Sequence, residues 1–364
     1  STPIDIPIML LFSVQILSSL TSVNMRVSFV NLLHTVAENY IVFYLIIDRF
    51  RSTLDVRKAV TVIFISGLIV GILGLIEHVS GFNLYSIITP ARVTMAHSLF
   101  RHTRLGIVRI EGAFGHPIMI GAFLASIAPL GFSLILLANS RWQKLQLSFS
   151  KILIFLALIF TMSRGPWIGV AVSQIILFWK KKVQILFILL LFGVIFIQPY
   201  LFTKETMASR DLIINIMSDN RIGSGVSTPQ ARYSLLQIGL EAFKDRPFLG
   251  YGLRCGQLAI GGQSIENYFL LLLLESGFLA LLLFLVILVI TFMNLIRLIS
   301  NENVKKETKY LSLGILAALS GYALILLLVT MQTSYFIFWI LLGLSMRLII
   351  NERMQKQANV FRTL

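Results

Sequence analysis

KILIFLALIFTMSRGPWIGVAVSQIILFWK, residues 151–180, is apolar from Ile152 to Trp179 except where Ser163-Arg164-Gly165 interrupts it. A guanidinium at membrane depth costs roughly 2.5–3.5 kcal/mol on insertion scales. It persists there because something anionic, or a wet cavity, needs it. The flanking charges decide where it lies. One long helix would carry Lys151 and Lys180 to opposite faces of a bilayer, whereas a hairpin of two short helices keeps both on one side. Each arm then holds about 12–15 residues, or roughly 18–22 Å at ~1.5 Å per residue. That is less than the ~30 Å hydrocarbon core. The hairpin tip with Arg164 is expected to sit recessed beneath the outer surface.

The rest of the chain repeats this apolar character. It has 364 residues, 57% of them hydrophobic and 13% charged, with a mean hydropathy of +0.85. A soluble domain is about 25% charged. Runs of about 18–20 apolar residues, the length that crosses a bilayer, recur along the sequence. The fold class read from this is all-α, a polytopic transmembrane helical bundle. Candidate spans are 4–22, 29–47, 59–78, 117–137, 152–163, 165–179, 183–200, 268–296, 310–330 and 335–350. The single Cys255 forms no intrachain disulfide, so it does not report a compartment.

The net charge of +15 raises nucleic acid as a partner, but in a membrane protein the positive-inside rule accounts for it. Basic clusters fall at Arg49 to Lys58, Arg141 to Lys151, Lys180 to Lys182, Arg297 to Lys309 and Arg347 to Arg362. About ten crossings place all five on one side with both chain ends, and that side is expected to be cytoplasmic. The organisation that follows is N-terminal transmembrane helices at 1–78, a first extracytoplasmic loop at 79–115, and central helices with the Arg164 hairpin at 116–200. A large extracytoplasmic loop covers 201–266, and C-terminal helices with a cytoplasmic tail cover 267–364. Both outer loops break the charge rule. The first carries Arg92, Arg101, Arg104 and Arg109 against Glu111 alone, and the second carries seven cations, Arg232 among them, only partly offset by acids. Arginines on the outer side suit an anionic ligand, since guanidinium forks match phosphate; they are also what long translocated loops carry as ordinary solvated residues.

Four segments carry the chemistry. In Arg109-Ile-Glu-Gly-Ala-Phe-Gly-His-Pro117, Gly112 and Gly115 permit tight turns and Pro117 suits a first helical position, with free N–H groups able to bind an oxyanion. His116 there is a cap, a packing residue or an acid–base group. A helix capped by Thr228 and ending at Arg246-Pro247 shows an apolar face of Leu235, Leu236, Leu240 and Phe243. Arg232 lies in its first turn, against the helix dipole. Phe248-Leu-Gly-Tyr251-Gly252 is a tight turn whose glycines admit close approach of a ligand or of another helix. Ser264-Ile-Glu266-Asn267-Tyr268 precedes an apolar helix that Glu275-Ser-Gly277 interrupts, as a short re-entrant piece followed by a true span would. Glu266 is a general base if burial raises its pKa, or a helix cap with Asn267. No metal-site spacing and no nucleotide phosphate loop emerge.

At these residues the chain resembles the O-antigen ligase and polysaccharide polymerase superfamily of bacterial membrane proteins. The matching blocks are Glu111 to Pro117, Thr161-Met-Ser-Arg-Gly165, Ala231-Arg232 through Pro247 to Gly252, and Glu266-Asn267-Tyr268 through Glu275-Ser-Gly277. The resemblance implies about twelve spans; an additional N-terminal pair would account for the difference and for a start at Ser1 without Met. It implies glycan transfer from an undecaprenyl pyrophosphate carrier at the outer face of the cytoplasmic membrane, with no cofactor or metal. The family's pyrophosphate-contacting arginines correspond to Arg164 and Arg232. Its ligases carry a catalytic histidine before the asparagine, where this chain has Glu266, and that departure favours a polymerase.

The expected enzyme is therefore a metal-independent glycosyltransferase that makes exopolysaccharide, capsule or O-antigen. Glu266, Arg164 and Arg232 are its catalytic residues, and Arg164, Arg232 and Arg109 bind the pyrophosphate. His116, Asn267 and Tyr251 give support. Expected partners are the lipid-linked glycan, the bilayer and a chain-length regulator, with no nucleic acid. A ligase that delivers glycan to lipid A core is the alternative within the superfamily. A lipid-linked oligosaccharide flippase, or a membrane scaffold, is the alternative outside it.

Overall fold

The computed structural model describes residues 2–87, 103–104, 107–179, 229–262, 265, 267–330 and 335–363, with the backbone alone for 103–104, 107, 229–234 and 358–363. Its helices in chain order begin with α1 (Asp5–Leu20) and α2 (Met25–Thr35). The latter continues through a π-helical turn, Val36–Ile41, into α3 (Val42–Arg49). Then come α4 (Thr53–Ser80), α5 (Pro117–Leu137), α6 (Arg141–Phe160), α7 (Arg164–Leu177) and α8 (Pro229–Asp245). The last three are α9 (Tyr268–Ser300), α10 (Lys306–Leu328) and α11 (Phe336–Thr363). The protein is helical as expected; an antiparallel pair of two-residue strands, Thr103–Arg104 with Ile107–Val108, is a small addition.

Six stretches among the described residues are long and apolar enough to cross a membrane: Met25–Arg49, Thr53–Ser80, Pro117–Leu137, Arg141–Phe160, Tyr268–Ser300 and Lys306–Leu328. This is an integral membrane protein. Helix length and composition thus carry six of the ten expected crossings. α1 has 16 residues and α7 has 14, both short of a full span. The expected span 183–200 lies outside the described residues, and 335–350 falls at the start of α11.

The hairpin around Arg164 is present. α6 and α7 are separate helices joined at Thr161-Met162-Ser163, and Met162 adopts φ 49°, a left-handed conformation that a continuous helix excludes. The first arm is longer than expected, starting at Arg141 rather than Ile152. Ser140 caps it, its Oγ accepting from Gln143 N at 3.1 Å, and Trp142, Leu145 and Phe149 stay exposed along it. Lys151 therefore sits partway along α6 rather than at its end. Its ammonium donates to Gln174 Oε1 at 3.3 Å and lies 5.3 Å from the Phe132 ring centre.

Small residues hold α5, α7 and α10 together. Gly169 and Ser173 on α7 face Ala317 and Gly321 on α10, each pair four residues apart. Ser173 Oγ donates to Ala317 O at 2.8 Å, and a Cβ on Gly321 would stand 2.5 Å from Gly169 O. Backbones approach this closely in membranes because association relies on packing and interhelical hydrogen bonds. On α5, a Cβ on Gly121 would meet Pro166 Cγ at 2.9 Å, which seats the start of α7 against the start of α5.

Three of the five basic clusters meet, and Lys180 to Lys182 lie outside the described residues. Arg57 pairs with Glu307 at 3.3 Å and donates to Leu137 O, and Arg347 donates to Arg51 O at 2.9 Å. The starts of α4 and α10 and the end of α5 therefore share one end of the bundle. The first residues of α5 and α7 lie at the other.

Candidate functional site

The turn before α7 is built from three directions. Thr161 Oγ1 donates back to Leu158 O at 2.7 Å, closing α6. Trp167 Nε1 donates to the same carbonyl at 3.0 Å, tying the first turn of α7 to the last turn of α6. Ile110 N reaches Phe160 O at 3.3 Å from the segment before α5. Beside it, Arg109 Nε donates to Thr161 O and Nη2 donates to Ser163 Oγ, both at 2.8 Å.

Ser163 is thereby drawn away from capping. It occupies the N-cap position of α7, yet its side chain accepts nothing from the helix; Oγ donates instead to Thr161 O at 3.1 Å. The first N–H groups of a helix otherwise lack intrahelical partners. Arg164, the first helical residue, is exposed, and its guanidinium makes no hydrogen bond or ion pair among the described residues. A cation at this end opposes the helix dipole. Together with an uncapped N-terminus it forms a pole for an oxyanion.

The Arg109 to Pro117 segment is clasped to the top of α4. Buried Glu77 accepts from Gly112 N at 2.9 Å, His78 Nδ1 meets Val108 O at 2.8 Å, and Asn83 Nδ2 donates to Gly112 O at 3.1 Å. Gly112 and Gly115 take φ 54° and 64°, the turns their presence implied. α5 begins at Pro117, and His116 is its cap, Nδ1 accepting from Ile118 N at 3.2 Å. Glu77, His78 and Asn83 did not stand out in the sequence. An acid and a histidine in the last turn of an apolar run were the available signal.

Phe248 to Gly252 and Glu275 to Gly277 meet each other. Gly277 leaves the helical region at φ 78°, ψ −178°, so α9 breaks there as expected. Tyr251 N donates to Leu274 O at 2.8 Å, Gly252 N to Glu275 O at 2.9 Å, and Phe278 N to Pro247 O at 2.8 Å. A Cβ on Gly277 would stand 2.0 Å from Phe248 O, and one on Gly250 would stand 2.5 Å from Leu274 O. These glycines serve the approach of backbone to backbone. Tyr251 gives its hydroxyl to Ala242 O at 2.9 Å. Burial, and then Asp245, hold that phenol above its usual pKa range, so it remains a donor.

α8 lies on the bundle along Leu235, Gly239, Ala242 and Phe243, whereas Leu236 and Leu240 face outward. The apolar face read from leucines alone is rotated because small Gly239 lets Leu270 approach to 2.9 Å from where a Cβ would be. Arg232 falls near the start of α8, as expected; its side chain lies outside the described residues. Thr228 and Glu266 lie outside them too. Asn267 caps α9, accepting from Leu270 N at 3.1 Å. Its neighbour Ile265 accepts from Thr330 Oγ1 through its carbonyl, and Thr330 follows Val329, against which Gly165 packs. The starts of α7 and α9 are thus neighbours across the end of α10. Among the described residues no three His, Cys, Asp or Glu side chains gather as a bound metal would need.

Residues 149–285 match the family model described as O-antigen ligase. That match is consistent with the O-antigen ligase and polysaccharide polymerase superfamily. No curated protein matches the chain. The O-antigen ligase segment holds Arg164, Arg232, the Gly250 to Gly252 turn, Glu266, Asn267 and the Gly277 break. Arg109 and His116 precede it, so the turn that presents Arg164 is fixed from outside the segment. The match supports glycan processing of the ligase or polymerase type, carried out by a membrane enzyme that resembles glycosyltransferases.

Proposed function

We propose that this protein transfers glycan repeat units from an undecaprenyl pyrophosphate carrier onto a second lipid-linked glycan, at the outer face of the bacterial cytoplasmic membrane. The observation that carries this reading is Arg164, an exposed guanidinium at an uncapped helix start within the O-antigen ligase segment. In the reaction, an acceptor hydroxyl attacks the anomeric carbon of the donor sugar. The bond from that carbon to the pyrophosphate oxygen breaks as the new glycosidic bond forms. Arg164 and Arg232 hold the pyrophosphate and stabilise its developing charge, a preorganised interaction that contributes about 3–4 kcal/mol per donor. Glu266 takes the hydroxyl proton, and such base catalysis typically contributes ~10²–10⁴-fold.

The roles of the supporting residues follow the contacts. Arg109 and His116 shape the ends of the two helices that meet beside Arg164. Asn267 fixes the start of α9 next to Glu266, and Tyr251 holds the outer turn on α9. Ten crossings, both termini in the cytoplasm and the two outer loops at 79–115 and 201–266 belong to the same proposal. So does a chain-length regulator as partner.

The family description favours one alternative, ligation of glycan to lipid A core or another acceptor. Purified protein given a lipid pyrophosphate glycan alone decides between them. A polymerase yields longer lipid-linked glycan, a ligase yields product only when a second acceptor is added, and no transfer in either arm ends the reading.

A further inference from the structure

A cavity of about 120 Å³ lies between α1, the π-helical turn, α9 and α11. It is on the order of the ~150 Å³ engineered cavity that takes a benzene ring. Its walls are polar for a membrane interior. Gln15 and Asn39 line it and are 6% and 7% exposed. Gln15 Oε1 accepts from the Tyr40 hydroxyl at 2.8 Å. Gln15 Nε2 and the Asn39 carboxamide make no hydrogen bond among the described residues. Trp339, which also lines the cavity, has a buried Nε1 with no hydrogen-bond partner among the described residues, and buried polar groups are normally satisfied, so the cavity suits a polar occupant.

The remaining lining states what kind of occupant. Glu275 enters from α9, next to the backbone clasp at Gly252. Tyr268, Tyr335 and Trp339 supply ring faces, with Tyr268 donating to the Tyr335 hydroxyl at 2.6 Å. The π-helical turn, a distortion frequent at functional sites, is what delivers Asn39. Two carboxamides and a carboxylate can both donate to and accept from a set of hydroxyls. Aromatic walls with a few placed polar groups are the usual make-up of a small-molecule site. The exposed charges of Glu38 and Arg254 on the lining offset one another, which suits a neutral ring better than a phosphate or an acidic sugar. The volume admits one ring.

Position decides which sugar this is. Ile265 touches the Arg164 side through Thr330, which follows the Val329 contact of Gly165. Tyr268, three residues further on, lines the cavity. A ring seated there is linked to the pyrophosphate pole through the start of α9 and the end of α10. We propose that this cavity is the subsite for one neutral sugar ring of the acceptor glycan, held by Gln15, Asn39 and Glu275 against the Tyr268, Tyr335 and Trp339 rings. The proposal rests on the glycan-transfer reading for its role and on the cavity alone for its binding.

The test uses the full chain in detergent and a lipid-free repeat-unit oligosaccharide from the producing strain as probe. Binding is read from quenching of Trp339 fluorescence in a variant whose other tryptophans are phenylalanine. Turnover is read with lipid-linked donor held saturating and the oligosaccharide varied as acceptor. We expect saturable quenching, and in Gln15→Leu and Asn39→Leu a tenfold or greater rise in acceptor KM with donor KM unchanged. Thr35→Phe, at a half-exposed position on the rim, gives the same result without disturbing a buried group. Quenching with no transfer by the parent protein would remove the glycan-transfer reading and leave the sugar site standing. Absence of quenching, or an acceptor KM unchanged in all three variants, would mean that the cavity holds water only and would overturn the proposal.

Discussion

Arg109 donates from Nη2 to Ser163 Oγ at 2.8 Å, so a residue of the segment before α5 grips the residue just before Arg164. Its Nε is engaged on Thr161 O at the same distance. These bonds occupy the Ser163 side chain and leave the start of α7 without its usual cap. The role that follows for Arg109 is to position Arg164.

Arg109→Ala is therefore expected to lower both stability and turnover. Hydrogen bonds from charged groups contribute about 1.5–3 kcal/mol each, and the variant should melt earlier in detergent with kcat reduced and donor KM little changed. Arg109→Lys should recover only part of both, since an ammonium lacks the planar fork. A raised donor KM with unaltered melting would instead place Arg109 on the substrate.

Arg164→Ala should behave differently. The side chain has no bond to lose among the described residues, so the amount of protein in the membrane should match the parent. Product formation should fall by ~10²–10³-fold, the usual effect of removing one preorganised donor. Quantitative immunoblotting beside glycan gels measures both. Unchanged glycan length and yield would remove Arg164 from the reaction.

Gly277→Ala and Gly261→Ala form a matched pair. Both glycines have positive φ, 78° and 70°. A Cβ at Gly277 would stand 2.0 Å from Phe248 O, whereas nothing lies within 4 Å of one at Gly261. Gly261→Ala should cost only the left-handed conformation, about 1–2 kcal/mol, while Gly277→Ala should fail to accumulate. Similar melting temperatures for the two would show that the backbone clasp contributes nothing.

Chelation gives a fourth expectation. With arginines taking the charge of the leaving group, EDTA should leave the transfer rate unchanged. A loss that added magnesium restores would assign the pyrophosphate to a metal.

Much of the end of the bundle around Arg164 was legible in the sequence because its signals are local. Pro117 marks a helix start wherever it falls, Gly112 and Gly115 mark turns, and Ser163-Arg164-Gly165 interrupts an apolar run where the two helices part. The start of α6 was not legible, since Trp142, Leu145 and Phe149 are spaced among polar residues and read as a loop when only long apolar runs are sought. The buried face of α8 was hidden for a related reason. Gly239 carries no hydrophobic signal, yet the absence of a side chain there is what brings α9 close. Gln15 and Asn39 are single amides in apolar runs, and only the tertiary fold reveals that they converge. The meeting of Gly250 with Leu274 likewise joins residues whose spacing along the chain predicts nothing.

Because Tyr251 and Gly252 complete the backbone of the broken helix, the Phe248 to Gly252 turn and α9 behave as one mechanical piece. Lifting that turn would strand the Leu274 and Glu275 carbonyls, and a buried backbone group without a partner costs about as much as a lost hydrogen bond. Opening at this end of the bundle is therefore left to stretches of the chain outside the clasp.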